Sequence, residues 1–330
     1  MDREIANPDV AVELKGLTKA YGSHLAVNRL DLAIRRGEVF GLLGPNGAGK
    51  TTTILMMLGL TEPSGGTVRV FGLDPARNAL EIKRRIGYMP DDLGFYEDRT
   101  ALDNLVYTAR LNGFSEQEAI SNAADLLERV GLAASGRKKV GTFSRGMRQR
   151  LGLADVLIKR PEMIILDEPT LGIDPKGVTE LLELITALSK EEGLTVLLSS
   201  HHLQQVQQIC DRVGLFVGGR LVACGGLEQL SRSLEEEDAI VVELEVADWS
   251  DRLRQSLLNV EGVTAIREAE GGPNGLAAAT AVEVVCEADV TGLIARVAAA
   301  ESILVSIRKR TYSLDDVYRR FFEGGEASGA

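Results

Sequence analysis

Between the apolar runs "VFGLL" (39–43) and "TILMMLGL" (53–60) stands "GPNGAGKTT" (44–52). This stretch constrains the chain more than any other. Gly44, Pro45, Asn46, Gly47, Ala48, Gly49, Lys50 and Thr51 fit the spacing G-x-x-x-x-G-K-[ST], with a strand pattern before it and a helix pattern after it, and with Thr52 they are the expected nucleotide-binding residues. Glycines let the backbone wrap a chain of phosphates, and the first turn of the following helix aims its N–H groups at the same anion. Lys50 is expected to reach the β- and γ-phosphates, and the Thr51 hydroxyl to ligate Mg²⁺.

The patterns around the loop set the rest of the architecture. "VAVELKGL" and "LDLAIRRGEVFGLLG" alternate or run apolar, as do the shorter "GTVRVFG" and "RRIGYMP", and all read as strands. From about residue 96 to 160 the pattern is helical, in "DNLVYTARLNG", "EQEAISNAADLLERVGL" and "MRQRLGLADVLIK". "MIILDEP" and "TVLLSS" are short, wholly apolar runs of the kind found in buried parallel strands, with "VTELLELITALSKEEG" as the crossover helix between them. A composition break falls at "SRSLEEED" (231–238), so residues 1–230 and 231–330 are expected to form separate domains. The second reads βαββαβ, a ferredoxin-like order, with a closing helix "SLDDVYRRFFEG" offering Leu314, Val317, Phe321 and Phe322 for packing.

Asp167 and Glu168 end the apolar run "MIIL", and open parallel sheets bind ligands at the carboxyl ends of their strands. Beside a phosphate loop, Asp167 is expected to hold Mg²⁺ through water, and Glu168 to act as general base on an attacking water. A kinase has no need of that glutamate; a hydrolase does.

Taken together these residues resemble the ATP-binding subunit of an ABC transporter, over about residues 10–230. The resemblance implies a P-loop NTPase fold of α/β class with an inserted helical subdomain, ATP and Mg²⁺ as cofactors, and ATP hydrolysis as the activity. Tyr21 in "KAYGSHLAV" matches the aromatic residue that stacks on adenine, with Val27 flanking the ring. "FSRGM" (143–147) occupies the family's signature loop, usually Leu-Ser-Gly-Gly-Gln, with Arg145 in place of the first Gly and Met147 in place of the Gln. Asp174 in "GIDP" matches the acidic centre of the D-loop, and His201 in "LLSSHHL" the switch histidine at the γ-phosphate, leaving His202 a bystander. Where the family usually offers Gln to Mg²⁺ and water, after "IGYMP", this chain has Asp91; its short side chain implies action through a water, and capping a helix start is the other reading. The family pairs two ATPase subunits head to tail, each ATP lying between one subunit's phosphate loop and the other's signature loop. Ser144 and the Gly146 N–H, opening a helix, suit the γ-phosphate of that second ATP.

The signature "SRGM", the acid at 91 and the C-terminal extension resemble the ATPases of drug- or antibiotic-type exporters, which carry their permease as a separate chain. A homodimer or paired ATPase subunit and separate transmembrane permease subunits are therefore the expected partners, with the chain on the cytoplasmic face of the membrane. An importer ATPase is the nearest alternative, and a soluble ABC ATPase acting on nucleic acid or ribosomes another. A net charge of −11 disfavours a nucleic-acid surface. The chain has neither the long coiled coils of chromosome-type members nor the second ATPase half of translation-type ones. The start "MDREIANPDV" is unlike a signal peptide, no apolar run is long enough to span a bilayer, and Cys210, Cys224 and Cys286 are scattered as free thiols are. For the C-terminal domain, a dimerisation contact, a ligand sensor and an inert stabiliser all remain open.

Overall fold

Strands buried on one face alternate in polarity, whereas strands buried on both are apolar throughout, and this chain has both kinds. A computed structural model describes residues 8–226, 228–230, 240–268 and 280–310. Strands β1 (Val10–Tyr21) and β2 (His24–Arg35) are of the first kind: β2 alternates buried and exposed positions from Leu30 to Arg35. β3 (Val39–Leu43) is buried along its whole length. The stretch "LDLAIRRGEVFGLLG" thus holds two strands of different sheets, parted by a turn in which the Arg35 N–H donates to the Glu38 carboxylate at 2.6 Å. Helix α1 (Lys50–Met57) follows the glycine loop, and β4 (Gly65–Val70) completes a three-stranded antiparallel sheet in the order β2-β1-β4.

Next come α2 (Pro75–Arg85) and β5 (Ile86–Met89). The helical region holds α3 (Ala101–Leu111), α4 (Glu116–Arg129) and α5 (Arg145–Leu157). Thr100 with Asp103, and Ser115 with Glu118, form reciprocal capping boxes at the starts of α3 and α4. Leu105, Ala109, Ala123, Leu127, Leu151, Ala154 and Ile158 close a core of their own among these three helices. Then follow β6 (Met163–Asp167), α6 (Pro175–Glu192), β7 (Thr195–Ser200), α7 (Leu203–Ile209), β8 (Arg212–Val217) and β9 (Arg220–Gly225). A six-stranded sheet runs β5-β6-β7-β3-β8-β9, parallel from β5 to β8, with β9 antiparallel at its edge. Gly218 and Gly219, both at positive φ (53° and 78°), make the two-residue turn from β8 to β9.

The chain divides into two compact units between residues 227 and 228. The second holds β10 (Ile240–Val246), α8 (Asp251–Leu258), β11 (Val263–Glu268), β12 (Thr280–Cys286), α9 (Thr291–Glu301) and β13 (Leu304–Lys309). Its sheet is antiparallel in the order β11-β12-β10-β13, the order of a ferredoxin-like fold. Val242, Leu244, Val282, Val284 and Cys286 pack with Leu253 and Leu257 of α8 and Ile294 and Ala298 of α9. The other face is charged: Glu243 stands opposite Glu283, and Arg308 and Arg310 pair with them. The closing helix with Leu314, Val317, Phe321 and Phe322 lies outside the described residues.

One ionic cluster ties the amino-terminal edge of the large sheet together. Glu162, just before β6, takes a forked contact from Arg85 at the end of α2 and a further bond from Arg36 at 2.9 Å. Both guanidinium groups also lie over the Phe71 ring, 4.1 and 4.9 Å from its centroid. The Arg85 bonds, then Arg36, lower the Glu162 carboxyl from 4.5 to about 2. A lowered carboxyl contributes stability above its unfolded value that is lost as pH falls through its folded value. Stability of the first unit is therefore expected to drop between pH 4.5 and about 2. Glu162→Gln should flatten that part of the urea-midpoint profile, by less than about 1 kcal/mol because the cluster faces solvent.

Candidate functional site

Parallel strands side by side end on the same edge of a sheet, and the residues that leave them there become neighbours. Leu43 of β3 is in register with Ser200 of β7, Asp167 of β6 with Ser199, and Leu166 with Met89 of β5. Four adjacent strand ends thus carry, in order, Asp91, the Asp167–Glu168 pair, His201 and the glycine loop. Four separate stretches of sequence are brought to one line by backbone hydrogen bonds alone.

The loop itself is shaped by close approaches that only glycine permits. A Cβ on Gly44 would stand 2.5 Å from the Phe216 carbonyl oxygen. Gly49, at φ +104° and capping α1, would place one 2.3 Å from the Ala26 carbonyl. Pro45, Asn46 and Gly47 form the exposed crest, while Ala48 and Lys50 are buried behind it. Thr52 is half-buried one residue into α1 beyond Thr51. The Lys50 ammonium donates to the carbonyls of Gly44 (2.7 Å) and Pro45 (3.3 Å), and lies 3.4 Å from Glu168 Oε1.

The acidic pair divides its contacts. Asp167 accepts the Thr51 hydroxyl at 2.8 Å on one oxygen and the buried Ser199 hydroxyl on the other. Glu168 turns instead toward Lys50 and toward His201, whose Nδ1 is 2.9 Å from Oε2. Its backbone has φ +50°, a conformation that costs a side-chain-bearing residue about 1–2 kcal/mol. Bonds from its N–H to the Ser199 carbonyl (3.1 Å) and from the Leu171 N–H to its own carbonyl (3.2 Å) hold it there. His202 stacks on His201 with ring centroids 3.9 Å apart. Burial, with His201, holds the His202 imidazole below its usual value against the pull of Glu168. Thr170, two residues past Glu168, donates to Gln205 of α7, a contact that single-sequence reading did not single out.

The remaining predicted residues fall in three places. Tyr21 is half-exposed, with Lys19 Nζ 4.9 Å from its ring centroid. Val27 is fully buried in the core, its Cγ2 3.4 Å from where a Cβ on Gly49 would lie. It braces the loop from below and has no surface to offer a ring, because its strand turns it inward. Asp91 does not join Thr51 and Asp167. Its carboxylate accepts the N–H of Asp92 at 2.9 Å and its carbonyl accepts from Arg145, and no helix starts there to be capped. Its charge still reaches the site's edge: burial, then Asp167 and Asp91, push the Tyr88 phenol up to about 12. Ser144, which caps α5 through the Met147 N–H, lines a separate surface cavity of about 340 Å³ with Gly146, Met147 and Asp174. No glycine-loop residue borders that cavity. Asp174 caps α6 through the Gly177 N–H at 3.3 Å. Among the described residues, no cluster of three or more His, Cys, Asp or Glu is placed to hold a metal, and no helix is long and apolar enough to cross a membrane.

A glycine loop between a buried strand and a helix, with an acidic pair and a histidine on adjacent strand ends, defines a P-loop nucleotide hydrolase. Comparison with known proteins narrows the class. The profile of the ABC transporter family matches residues 27–171. A bacitracin transport ATP-binding protein of Bacillus licheniformis is 44% identical over 211 residues, covering 64% of this chain and 68% of that protein. A daunorubicin/doxorubicin resistance ATP-binding protein of Streptomyces peucetius is 38% identical, covering 82% of this chain and 81% of that protein. Among solved structures, an ATP-binding subunit of an ABC transporter superposes with a TM-score of 0.62 at 32% identity, over 68% of this chain and 93% of that one. A dimeric ATP-binding cassette in a post-hydrolysis state bound to ADP and Pi gives 0.60 at 26% identity, over 66% and 98%. The chain belongs to the ATP-binding subunits of ABC transporters, and is an ATPase.

Lys50→Ala removes the ammonium that converges on the loop, and should weaken ATP binding about 100-fold by titration calorimetry, as loss of a charge-assisted contact does. Unchanged affinity would remove Lys50 from the phosphate site.

Proposed function

We propose that the protein is the ATPase of an exporter of drug or antibiotic type, working as one of a pair of such subunits beneath a separate membrane permease on the cytoplasmic face. The observation that carries the chemistry is Glu168, held between Lys50 and His201 at the carboxyl edge of the parallel sheet. Bacitracin, linearmycin and daunorubicin appear in the names of relatives at 44%, 36% and 38% identity, which supports the direction of transport.

In this reading the phosphates of ATP lie over the loop crest, and Lys50 exchanges its carbonyl partners for phosphate oxygens. Adenine stacks on the exposed Tyr21 ring. The hydroxyl of Thr51 and the carboxylate of Asp167, 2.8 Å apart, are the hard oxygen donors that suit Mg²⁺. Thr51 directly and Asp167 through water would hold the ion, which would supply neutralisation of phosphate charge. Glu168 receives the proton of the attacking water as its oxygen bonds in line to the γ-phosphorus, the bond to the β–γ bridging oxygen breaks and ADP leaves, and His201 holds the carboxylate and the γ-phosphate in register. The developing charge is met by Lys50 and by Ser144 and the Gly146 N–H of the paired subunit. That the cavity lined by Ser144, Gly146 and Asp174 has no glycine-loop residue in its wall supports a role toward another subunit's nucleotide.

Glu168→Gln keeps the shape but cannot take a proton. Turnover should fall about 10²- to 10⁴-fold while ATP binding persists and a dimer accumulates in ATP, seen by size exclusion with light scattering. Wild-type turnover in this variant would refute the base assignment. A separate measurement addresses the pairing: Ser144→Arg should bind ATP as a monomer yet form no ATP-dependent dimer, and retained dimers would refute the paired site.

A further inference from the structure

At the third position of its signature loop this chain carries a side chain with five N–H donors where the family's usual sequence has none. Arg145 is exposed, yet its guanidinium is not directed at solvent alone. Nε donates to the Leu171 carbonyl at 3.0 Å, and Nη2 to the Asp91 carbonyl at 3.3 Å. The stem runs over Gly172, its Cγ and Nε at van der Waals distance, 3.6 Å, from where a Cβ there would stand. Next to it, a Cβ added at Gly146 would lie 3.4 Å from Ile173 Cγ2, so the turn and the 171–173 loop pass close to each other. One planar fork therefore touches two carbonyls on two loops, one leaving β5 and one following Glu168, from a third loop that opens α5.

The contacts join functions that the sequence keeps 54 and 26 residues apart. Asp91 follows β5 at the nucleotide edge. Leu171 lies three residues past Glu168, and its N–H bonds the Glu168 carbonyl at 3.2 Å. Ser144 and Gly146, on either side of Arg145, are the groups assigned above to the other subunit's ATP. Both acceptors are backbone carbonyls, so the clasp depends on the arginine alone and on no partner side chain.

We infer that Arg145 is a positioning residue: its guanidinium clasps the signature turn to the loops after β5 and β6 of its own subunit, so that occupancy of one ATP site sets the geometry offered to the other. The inference rests on the paired-subunit reading. Arginine is required over lysine because a lysine ammonium is a point donor on a flexible stem and cannot span two carbonyls in a fixed fork. A purely electrostatic role toward a phosphate would, in contrast, survive Arg145→Lys.

The test uses the purified full chain with Arg145→Ala and Arg145→Lys, following steady-state ATPase activity against ATP concentration together with amide hydrogen exchange. In Arg145→Ala, kcat should fall about tenfold with KM within about twofold, as loss of positioning without loss of binding predicts. The Hill coefficient should fall toward one, and amides near residues 91–93 and 171–173 should exchange faster while the interior of α5 stays protected. Arg145→Lys should resemble the alanine variant in Hill coefficient. Wild-type cooperativity and exchange in Arg145→Ala would overturn the clasp, and so would full recovery in Arg145→Lys. If Glu168→Gln forms no dimer in ATP, the paired reading itself fails; if it dimerises while Arg145→Ala is unchanged, only the clasp fails.

Discussion

Everything at the nucleotide edge depends on where β3 is hydrogen-bonded. Because it lies between β7 and β8, parallel to both, the glycine loop leaves the sheet beside His201 on one flank and over Phe216 on the other. The Gly44 N–H bonds the Ser200 carbonyl at 3.2 Å, which sets the height of the loop against the histidine. Gly44 passes so close to the β8 backbone that there is no space for even one carbon between it and the Phe216 carbonyl. The sheet order fixes the site, and the glycines are what that order demands.

The charges at this edge are arranged as two linked sets. Thr51, Asp167 and Ser199 form a hydroxyl–carboxylate–hydroxyl line, buried at its inner end. Lys50, Glu168 and His201 form a second, in which a carboxylate at a left-handed backbone position is held from both sides. The adjacent acids can serve different roles because the strained backbone of Glu168 turns its side chain away from the line Asp167 occupies. The ionic cluster around Glu162 holds the opposite end of the same strand, so β6 is fixed at both ends by charge and along its length by apolar burial.

Much of this was legible in the chain. The glycine loop, the buried runs of β6 and β7 and the helical region announce themselves by period and composition, because each is a local property of a few residues. Less visible were α2, α7, β8 and β9. β8, "RVGLFV", is an apolar run like its neighbours, and the "GG" at 218–219 marked the hairpin that follows it. α2 carried a Pro75 start and an Asp74 cap. Side-chain direction is not legible in this way, because it depends on what a strand or loop packs against. Val27 turns into the core, and Asp91 bonds its own neighbour.

By itself the sequence determined the phosphate loop, the acidic strand end, the ferredoxin-like element order and the family, since each rests on residue types at short, fixed spacing. Only the tertiary structure decided which of these groups meet. Strand pairing brought Asp167 to Thr51 and Glu168 to Lys50 across 116 and 118 positions of chain, and left Asp91 aside. It also gave Arg145 its two carbonyls. A departure from the usual signature is only a substitution in one dimension; it becomes a contact because folding places two other loops within reach of one guanidinium.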